Sequence, residues 1–112
     1  MTKAQKIIGF GDNREKNDFY ATPQESTESL LRVTTFRGDI YEPCCGQGHI
    51  SKVLIKNGYN VFSSDLVDRG YGTPRIDFLM ESQKHDNIIT NPPFKNALEF
   101  AEKAVELARY KV

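Results

Sequence analysis

The fold of this chain is decided by residues 39–48, which read Asp39-Ile40-Tyr41-Glu42-Pro43-Cys44-Cys45-Gly46-Gln47-Gly48. The first four residues, two apolar side chains between two acidic ones, suit a short strand. The glycines predict a turn, and the apolar stripe Ile50, Val53 and Leu54 predicts a helix that ends at Asn57-Gly58. The order of strand, glycine loop and helix is typical of an α/β fold.

The rest of the chain continues this alternation. Thr22-Pro23-Gln24-Glu25 predicts a helix over about 23–35, with Thr22 as its N-cap. Further strands are expected at 60–64, 75–78 and 86–90. A last helix is predicted from apolar residues at helical spacing, namely Ala97, Leu98, Ala101, Ala104, Val105 and Ala108. We therefore expect a mostly parallel sheet with flanking helices, whose ligands bind at the carboxyl ends of the strands.

Composition limits the class of protein. A chain of 112 residues with 38% hydrophobic residues fits one globular domain, expected at 18–112 after a polar, flexible arm at 1–17. No apolar run approaches the ~20 residues that span a bilayer, and no signal-peptide core follows Met1, so we expect a cytoplasmic protein without a membrane partner. The formal net charge is zero, which gives no argument for nucleic-acid binding. Cys44 and Cys45 are adjacent and lack zinc-site spacing, so no metal is expected.

Glu42 distinguishes the loop from a dinucleotide site. An acid at the end of the strand can pair with an ammonium group, whereas it would repel a pyrophosphate. The third glycine of the dinucleotide-binding fingerprint is replaced by Ser51, which further disfavours NAD. Asp65 lies 19 residues after Gly46 (65 − 46), near the spacing at which an acid binds ribose hydroxyls. The alternative is that Asp65 only stabilises a turn.

Asn91-Pro92-Pro93-Phe94 ends the strand predicted at 86–90. Two prolines stop the strand and leave carbonyl groups outside the hydrogen-bonding of the sheet. The side-chain oxygen of Asn91 and the carbonyl of Pro92 could each accept one hydrogen of an amine, and Phe94 could stack on a planar base. The alternative is an ordinary Asn-Pro turn.

Together these motifs resemble the S-adenosylmethionine-dependent DNA adenine-N6 methyltransferases over about 18–112. The resemblance implies a Rossmann-like methyltransferase fold, with S-adenosylmethionine as cofactor and adenine in DNA as acceptor. It implies an amine-binding set of four residues: Asn91, Pro92, Pro93 and Phe94. It implies a cofactor-binding set that comprises Tyr20, Thr22, Glu42, Pro43, Cys44, Gly46, Gly48, Asp65, Leu66, Asp77 and Phe78. Within this set, Glu42 and the glycine loop would hold the methionine portion, Asp65 the ribose, and Asp77 with Phe78 the adenine. Thr22 would lie beside the methionine carboxylate.

Three alternatives stay open for the function. An RNA base or a protein glutamine could replace DNA adenine as the acceptor, or the chain could be a cofactor-binding remnant without turnover. Relative to the family, the sequence is expected to be an N-terminal portion of the catalytic domain, truncated after a fourth strand and its helix. The strand at 87–90 would then be an exposed edge, which predicts self-association through it.

Overall fold

The computed structural model of the protein describes residues 21–112. The arm predicted at 1–17 and the predicted cofactor residue Tyr20 lie outside the described residues. Within the described part, no helix is long and apolar enough to cross a membrane.

Within residues 21–112, four parallel strands form the sheet, in the order β2-β1-β3-β4. Their bounds are Ile40–Glu42 for β1, Val61–Ser63 for β2, His85–Ile88 for β3 and Ala108–Lys111 for β4. The central strand β1 pairs with β2 through Glu42 and Ser63, and with β3 through Tyr41 and Ile88. The carboxyl ends of β1, β2 and β3 therefore meet at one edge of the sheet.

In the described part of the chain, three α-helices flank the sheet: α1 at Gln24–Val33, α2 at His49–Lys56 and α3 at Ala97–Leu107. Short 3-10 helices lie at Phe78–Met80 and Phe94–Asn96. Successive residues of a strand point to opposite faces, so Ile40 and Tyr41 belong to separate cores. One core contains Tyr41, Phe78, Ile88, Phe100, Ala104 and Leu107. The other contains Ile40, Ile50 and Leu54, with Leu31, Phe36 and Ile89 against it.

The strand predicted at 75–78 does not form. Arg75 has a φ of 61°, which is incompatible with extended backbone. The carboxylate of Asp77 accepts from the amide of Leu79 at 3.1 Å and caps the 3-10 helix at Phe78–Met80. Local hydrogen bonding by an Asp side chain thus displaces the strand. Only Ser64 and Thr73 form a bridge in the loop before it.

Thr22 does not cap α1, contrary to the sequence prediction. The cap position is Pro23, which makes no side-chain hydrogen bond, and the helix begins at Gln24. The hydroxyl of Thr22 instead accepts a hydrogen bond from Asn91, 69 residues along the chain. The Thr22 hydroxyl, which the local motif assigned to the helix N-terminus, therefore makes a tertiary contact instead.

The predicted exposed edge at 87–90 is also wrong. The last helix ends at Leu107, and the next four residues form β4, which pairs with β3 through His85 and Ala108. Because β1 covers the opposite side of β3, this strand is internal. The chain thus extends one strand beyond the truncation point expected from sequence, and β3 offers no edge for self-association. The boundary between α3 and β4 could not be predicted from the sequence, because Ala108 continues the helical spacing of apolar residues in α3.

Candidate functional site

A cavity of about 350 Å³ lies at the carboxyl ends of β1, β2 and β3. This volume is within the ~300–1,000 Å³ range of small-molecule sites. Ten of the predicted site residues line the cavity: Thr22, Glu42, Pro43, Cys44, Asp65, Leu66, Asp77, Phe78, Asn91 and Pro93. Residues from five separate segments of the sequence therefore meet in one site.

The remaining described residues of the predicted set do not line it. Gly46 and Gly48 shape the loop next to the cavity, and Pro92 lines a separate groove between α1 and α3. Phe94 begins the short 3-10 helix and is 45% exposed, but it is not among the lining residues.

Glu42 ends β1 and is buried, with 1% of its surface exposed. Its Oε1 accepts from the amide of Ser51 at 3.1 Å and from the hydroxyl of Ser51. That hydroxyl also contacts the hydroxyl of Ser63 at 2.6 Å. Burial raises the pKa of Glu42 to about 8, against the lowering effect of the Ser51 hydrogen bonds. A cation bound beside Glu42 would favour the charged carboxylate and lower this pKa.

The glycine loop turns from β1 into α2 through left-handed backbone. Gly48 has a φ of 88°, and a Cβ there would lie 2.7 Å from the ring of Tyr71. The amide of Gly48 donates to the carbonyl of Cys45 at 2.8 Å, and Cys45 in turn donates to Ser64 at 2.9 Å. These bonds fix the loop against the end of β2, so that its backbone borders the cavity.

Asp65 follows β2, and its side chain accepts two hydrogen bonds from main-chain amides. Its Oδ2 accepts from the amide of Gly46 at 2.9 Å, and its Oδ1 accepts from the amide of Val67 at 3.1 Å. The second bond closes a local turn, and a turn-stabilising Asp65 was the alternative interpretation of the sequence. Asp65 therefore stabilises a turn and lines the cavity at the same time.

Asp77 and Phe78 form another part of the wall. Phe78 is 1% exposed, and its ring packs against Tyr41 at 6.0 Å and Phe100 at 5.3 Å between centroids. It belongs to the core as well as to the cavity lining. The exposed residue Asp77 lies beside it, with Oδ1 bonded to the amide of Leu79.

The Asn91-Pro92-Pro93-Phe94 segment comes after β3 and does not pair with the sheet. The carbonyl of Pro93 accepts from the amide of Asn96 at 3.1 Å, which begins the 3-10 helix. Asn91 donates from Nδ2 to Oγ1 of Thr22 at 3.3 Å. Asn91 and Pro93 face the same cavity as Glu42 and Asp65.

Sequence reasoning missed several polar residues of the site. Ser51 was noted only for replacing a glycine, although its hydroxyl supports Glu42. His49, Arg69, Lys95 and Asn96 also line the cavity. Lys95 directly follows Asn91-Pro92-Pro93-Phe94, and this position in the sequence could have indicated that Lys95 belongs to the site.

Cys44 lines the cavity too, but burial raises the pKa of its thiol to about 12, which makes it a poor nucleophile. Among residues 21–112, no three His, Cys, Asp or Glu side chains group to hold a metal ion.

Comparison with known proteins gives fold neighbours only. No protein-family model and no curated protein sequence matches the chain. A Pyrococcus horikoshii protein provisionally assigned as an RNA methyltransferase superimposes with a TM-score of 0.70 and 21% identity, covering 93% of this chain and 63% of that one.

Two further neighbours are methyltransferases with bound S-adenosylmethionine. Magnesium protoporphyrin IX methyltransferase of Synechocystis PCC 6803 gives a TM-score of 0.59 and 20% identity, with 77% of this chain and 54% of that one covered. The glycopeptide N-methyltransferase MtfA gives a TM-score of 0.59 and 15% identity, with 81% and 52% covered. The chain thus spans between half and two thirds of these neighbours. It has the Rossmann-like methyltransferase fold that the sequence predicted.

Proposed function

We propose that this chain binds S-adenosylmethionine in the cavity and takes part in methyl transfer to the N6 amine of adenine in DNA. The observation that supports this most directly is the meeting of two subsites in one cavity. Glu42, Asp65 and Asp77 line it from β1, β2 and the following loop, while Asn91 and Pro93 line it from the segment after β3. A methyl donor and an amine acceptor could therefore lie side by side.

The acidic residues suit the groups that the cofactor presents. S-adenosylmethionine supplies an electrophilic methyl group on a sulfonium. Glu42 has a raised pKa, so pairing with an ammonium group would favour its charged form and lower that pKa. Asp65 would accept from ribose hydroxyls while the amide of Gly46 keeps its carboxylate in place. Asp77 would accept from the adenine amine, beside the buried ring of Phe78.

On the acceptor side, Oδ1 of Asn91 and the main-chain carbonyl of Pro92 would hold the amine that receives the methyl group. Pro92 borders the neighbouring groove, so its carbonyl would have to turn towards the cavity when the acceptor binds. Two acceptors on one –NH2 group draw its hydrogens to one side and direct the nitrogen lone pair to the other. This positioning needs no separate general base before the transfer. Phe94, 45% exposed at the start of the 3-10 helix, would stack on a flipped base.

RNA adenine is the second candidate acceptor. The Pyrococcus horikoshii neighbour, which superimposes over 93% of this chain, is provisionally assigned to RNA. An adenine base presents the same amine in either nucleic acid, and Lys95 in the cavity lining offers a cation to a phosphate of either backbone. The 2′-hydroxyl is the group that distinguishes the two acceptors.

Binding and turnover test the proposal separately. We would titrate the chain with S-adenosylhomocysteine by calorimetry, and then supply labelled S-adenosylmethionine with adenine-containing DNA and RNA oligonucleotides of the same sequence. We expect binding, and methyl transfer to DNA that Asn91→Ala abolishes and Asn60→Ala, an exposed change in the loop before β2, leaves intact. Binding without transfer to either oligonucleotide would favour a cofactor-binding remnant. Absence of binding would contradict the proposal.

A further inference from the structure

The groove between α1 and α3 has a volume of about 520 Å³ and is separate from the cavity at the strand ends. Three alanines of α3, Ala97, Ala101 and Ala104, line one side of it, and their short side chains leave space between the two helices. Ile88 of β3 and the following Ile89 also line it. The proposed function uses the cavity and leaves this apolar groove without a ligand.

Beside the groove, α3 presents an exposed apolar ridge formed by Leu98 and Val105. These side chains are 69% and 70% exposed. They are seven residues apart (105 − 98), so they lie ~20° apart around the helix and two turns apart along it. Ala101, which lines the groove, is one turn from each of them. On the other side of the groove, Val33 is 81% exposed and lies one turn after Leu30 of the groove lining. A projecting apolar ridge therefore adjoins an apolar groove.

One charged side chain accompanies each of these two features. Glu102 is exposed on α3, three residues before Val105, so its carboxylate lies beside the ridge. Lys111 lines the groove, where its Nζ donates to Oγ1 of Thr34 at 2.8 Å and to the carbonyl of Thr35 at 2.7 Å. An ammonium group has three hydrogens, so Lys111 can also donate to a carboxylate. The ridge thus carries an acid, and the groove carries a base.

A ridge and a groove on the same face are what a two-fold symmetric contact requires. In such a contact both copies contribute the same surface, so each ridge enters the groove of the other copy. Glu102 of each copy then approaches Lys111 of the other, which gives two attractive pairs. A different protein would need only one of the two features, so their presence together with opposite charges favours a second copy of this chain. The net charge of zero adds no general repulsion between copies.

We propose that this chain forms a symmetric dimer through the face between α1 and α3. Leu98 and Val105 of each copy fill the groove of the other, and Glu102 pairs with Lys111 across the interface. This contact is distinct from the edge of β3, which β4 covers. Because Phe100 lines both the groove and the cavity, a second copy in the groove lies one side chain away from the cavity. The dimer does not depend on the proposed function.

Analytical ultracentrifugation of the full chain over a wide range of concentrations tests the apolar part of this contact. We expect a reversible equilibrium between monomer and dimer. Leu98→Lys should raise the dissociation constant about tenfold or more, because it places a charge in an apolar groove. Ile55→Lys, at a half-exposed apolar residue of α2, is the matched control and should leave the constant unchanged. A wild type that stays monomeric, or a dimer that Leu98→Lys leaves intact, would overturn the inference.

Charge reversal tests whether the partner is a second copy. In a Glu102→Lys dimer both pairs become Lys–Lys, and in a Lys111→Glu dimer both become Glu–Glu, so each variant alone should dimerise about tenfold more weakly than the wild type. In an equimolar mixture of the two variants, a heterodimer again has two pairs of opposite charge. We therefore expect the mixture, and the double variant, to regain an affinity near that of the wild type.

A mixture of Glu102→Lys with Lys56→Glu, which reverses an exposed charge on α2, is the control and should not regain affinity. Lys111→Glu also removes two hydrogen bonds to the end of α1, so its fold is checked by circular dichroism. The Leu98→Lys experiment does not rely on that variant. Failure of both the mixture and the double variant to recover would overturn the pairing of Glu102 with Lys111 and with it the symmetric dimer.

Discussion

The main-chain amide of Gly46 donates to the carboxylate of Asp65 at 2.9 Å. Asp65 thereby closes the glycine loop from the end of the neighbouring strand, and the amide of Val67 holds its other oxygen at 3.1 Å. A carboxylate fixed by two backbone amides loses little further freedom when a ligand binds. The same side chain therefore shapes the loop and faces the cavity.

Substitution of Asp65 tests this double role. We expect Asp65→Ala to weaken binding of S-adenosylhomocysteine by about 10- to 100-fold, because charge-assisted hydrogen bonds to the ribose are lost. Asp65→Asn should lose less, since one oxygen remains for Gly46. Calorimetric titration measures both. Asp68→Ala, which removes only an exposed turn contact to Gly70, is the control. Equal affinity for wild type and Asp65→Ala would refute the assignment.

Glu42 gives the protein a specific dependence of stability on pH. Its pKa rises from about 4.5 in the unfolded chain to about 8 in the fold. The folded state therefore retains a proton that the unfolded state releases, so the stability from this residue is full below pH about 4.5 and falls as pH rises to about 8. We expect urea unfolding to show a loss of stability between about pH 5 and pH 8 that Glu42→Gln reduces. Glu99→Gln, an exposed change on α3, should leave the loss in place.

The same proton reports on ligand binding. If an ammonium group pairs with Glu42, the carboxyl group ionises and releases its proton at neutral pH. We expect calorimetry of S-adenosylhomocysteine at pH 7 in phosphate and in Tris to give enthalpies that differ by a substantial fraction of one buffer protonation, and Glu42→Gln to remove that difference. An enthalpy that is independent of buffer in the wild type would show that Glu42 does not change charge on binding.

Much of the site could be predicted because its residues belong to short local motifs at strand ends. Glu42 ends a strand, and Asp65 and Asn91 each come soon after one. A parallel sheet brings such positions together whatever the details of packing. The contacts that sequence could not predict are tertiary. The Thr22 hydroxyl was assigned to a helix that begins after it, the Asp77 carboxylate caps a turn where a strand was expected, and the end of α3 was hidden by Ala108.

Two glycines in the loop after β2 offer a matched test of packing near Asp65. Gly70 and Gly72 both have positive φ, 88° and 73°, so alanine costs roughly 1–2 kcal/mol of backbone strain at either position. At Gly70 a Cβ would meet nothing within 4 Å, whereas at Gly72 it would lie 2.8 Å from the carbonyl oxygen of Ser63. We expect Gly72→Ala to lower the thermal midpoint by several degrees more than Gly70→Ala, and to weaken ligand binding as well. Equal midpoints for the two variants would show that the loop can move away from β2.

Asn87 provides the sharpest test of the sheet, since it is fully buried in β3 and joins three segments. Its Nδ2 donates to the carbonyls of Arg37 at 2.8 Å and Asp39 at 3.0 Å, and its Oδ1 accepts from the amide of Lys111 at 3.2 Å. Asn87→Ala removes three hydrogen bonds, two of them to the chain before β1 and one to β4, and we expect it to lower the free energy of unfolding by about 3 kcal/mol. Urea denaturation measures this loss, and Asn60→Ala, at an exposed asparagine, should change stability by less than about 0.5 kcal/mol. Hydrogen exchange in the same variant should become faster at Lys111 than at Ile55 of α2, because within residues 21–112 β4 pairs with the sheet only through β3. Uniform acceleration across both elements would mean that β4 does not open separately from the rest of the domain.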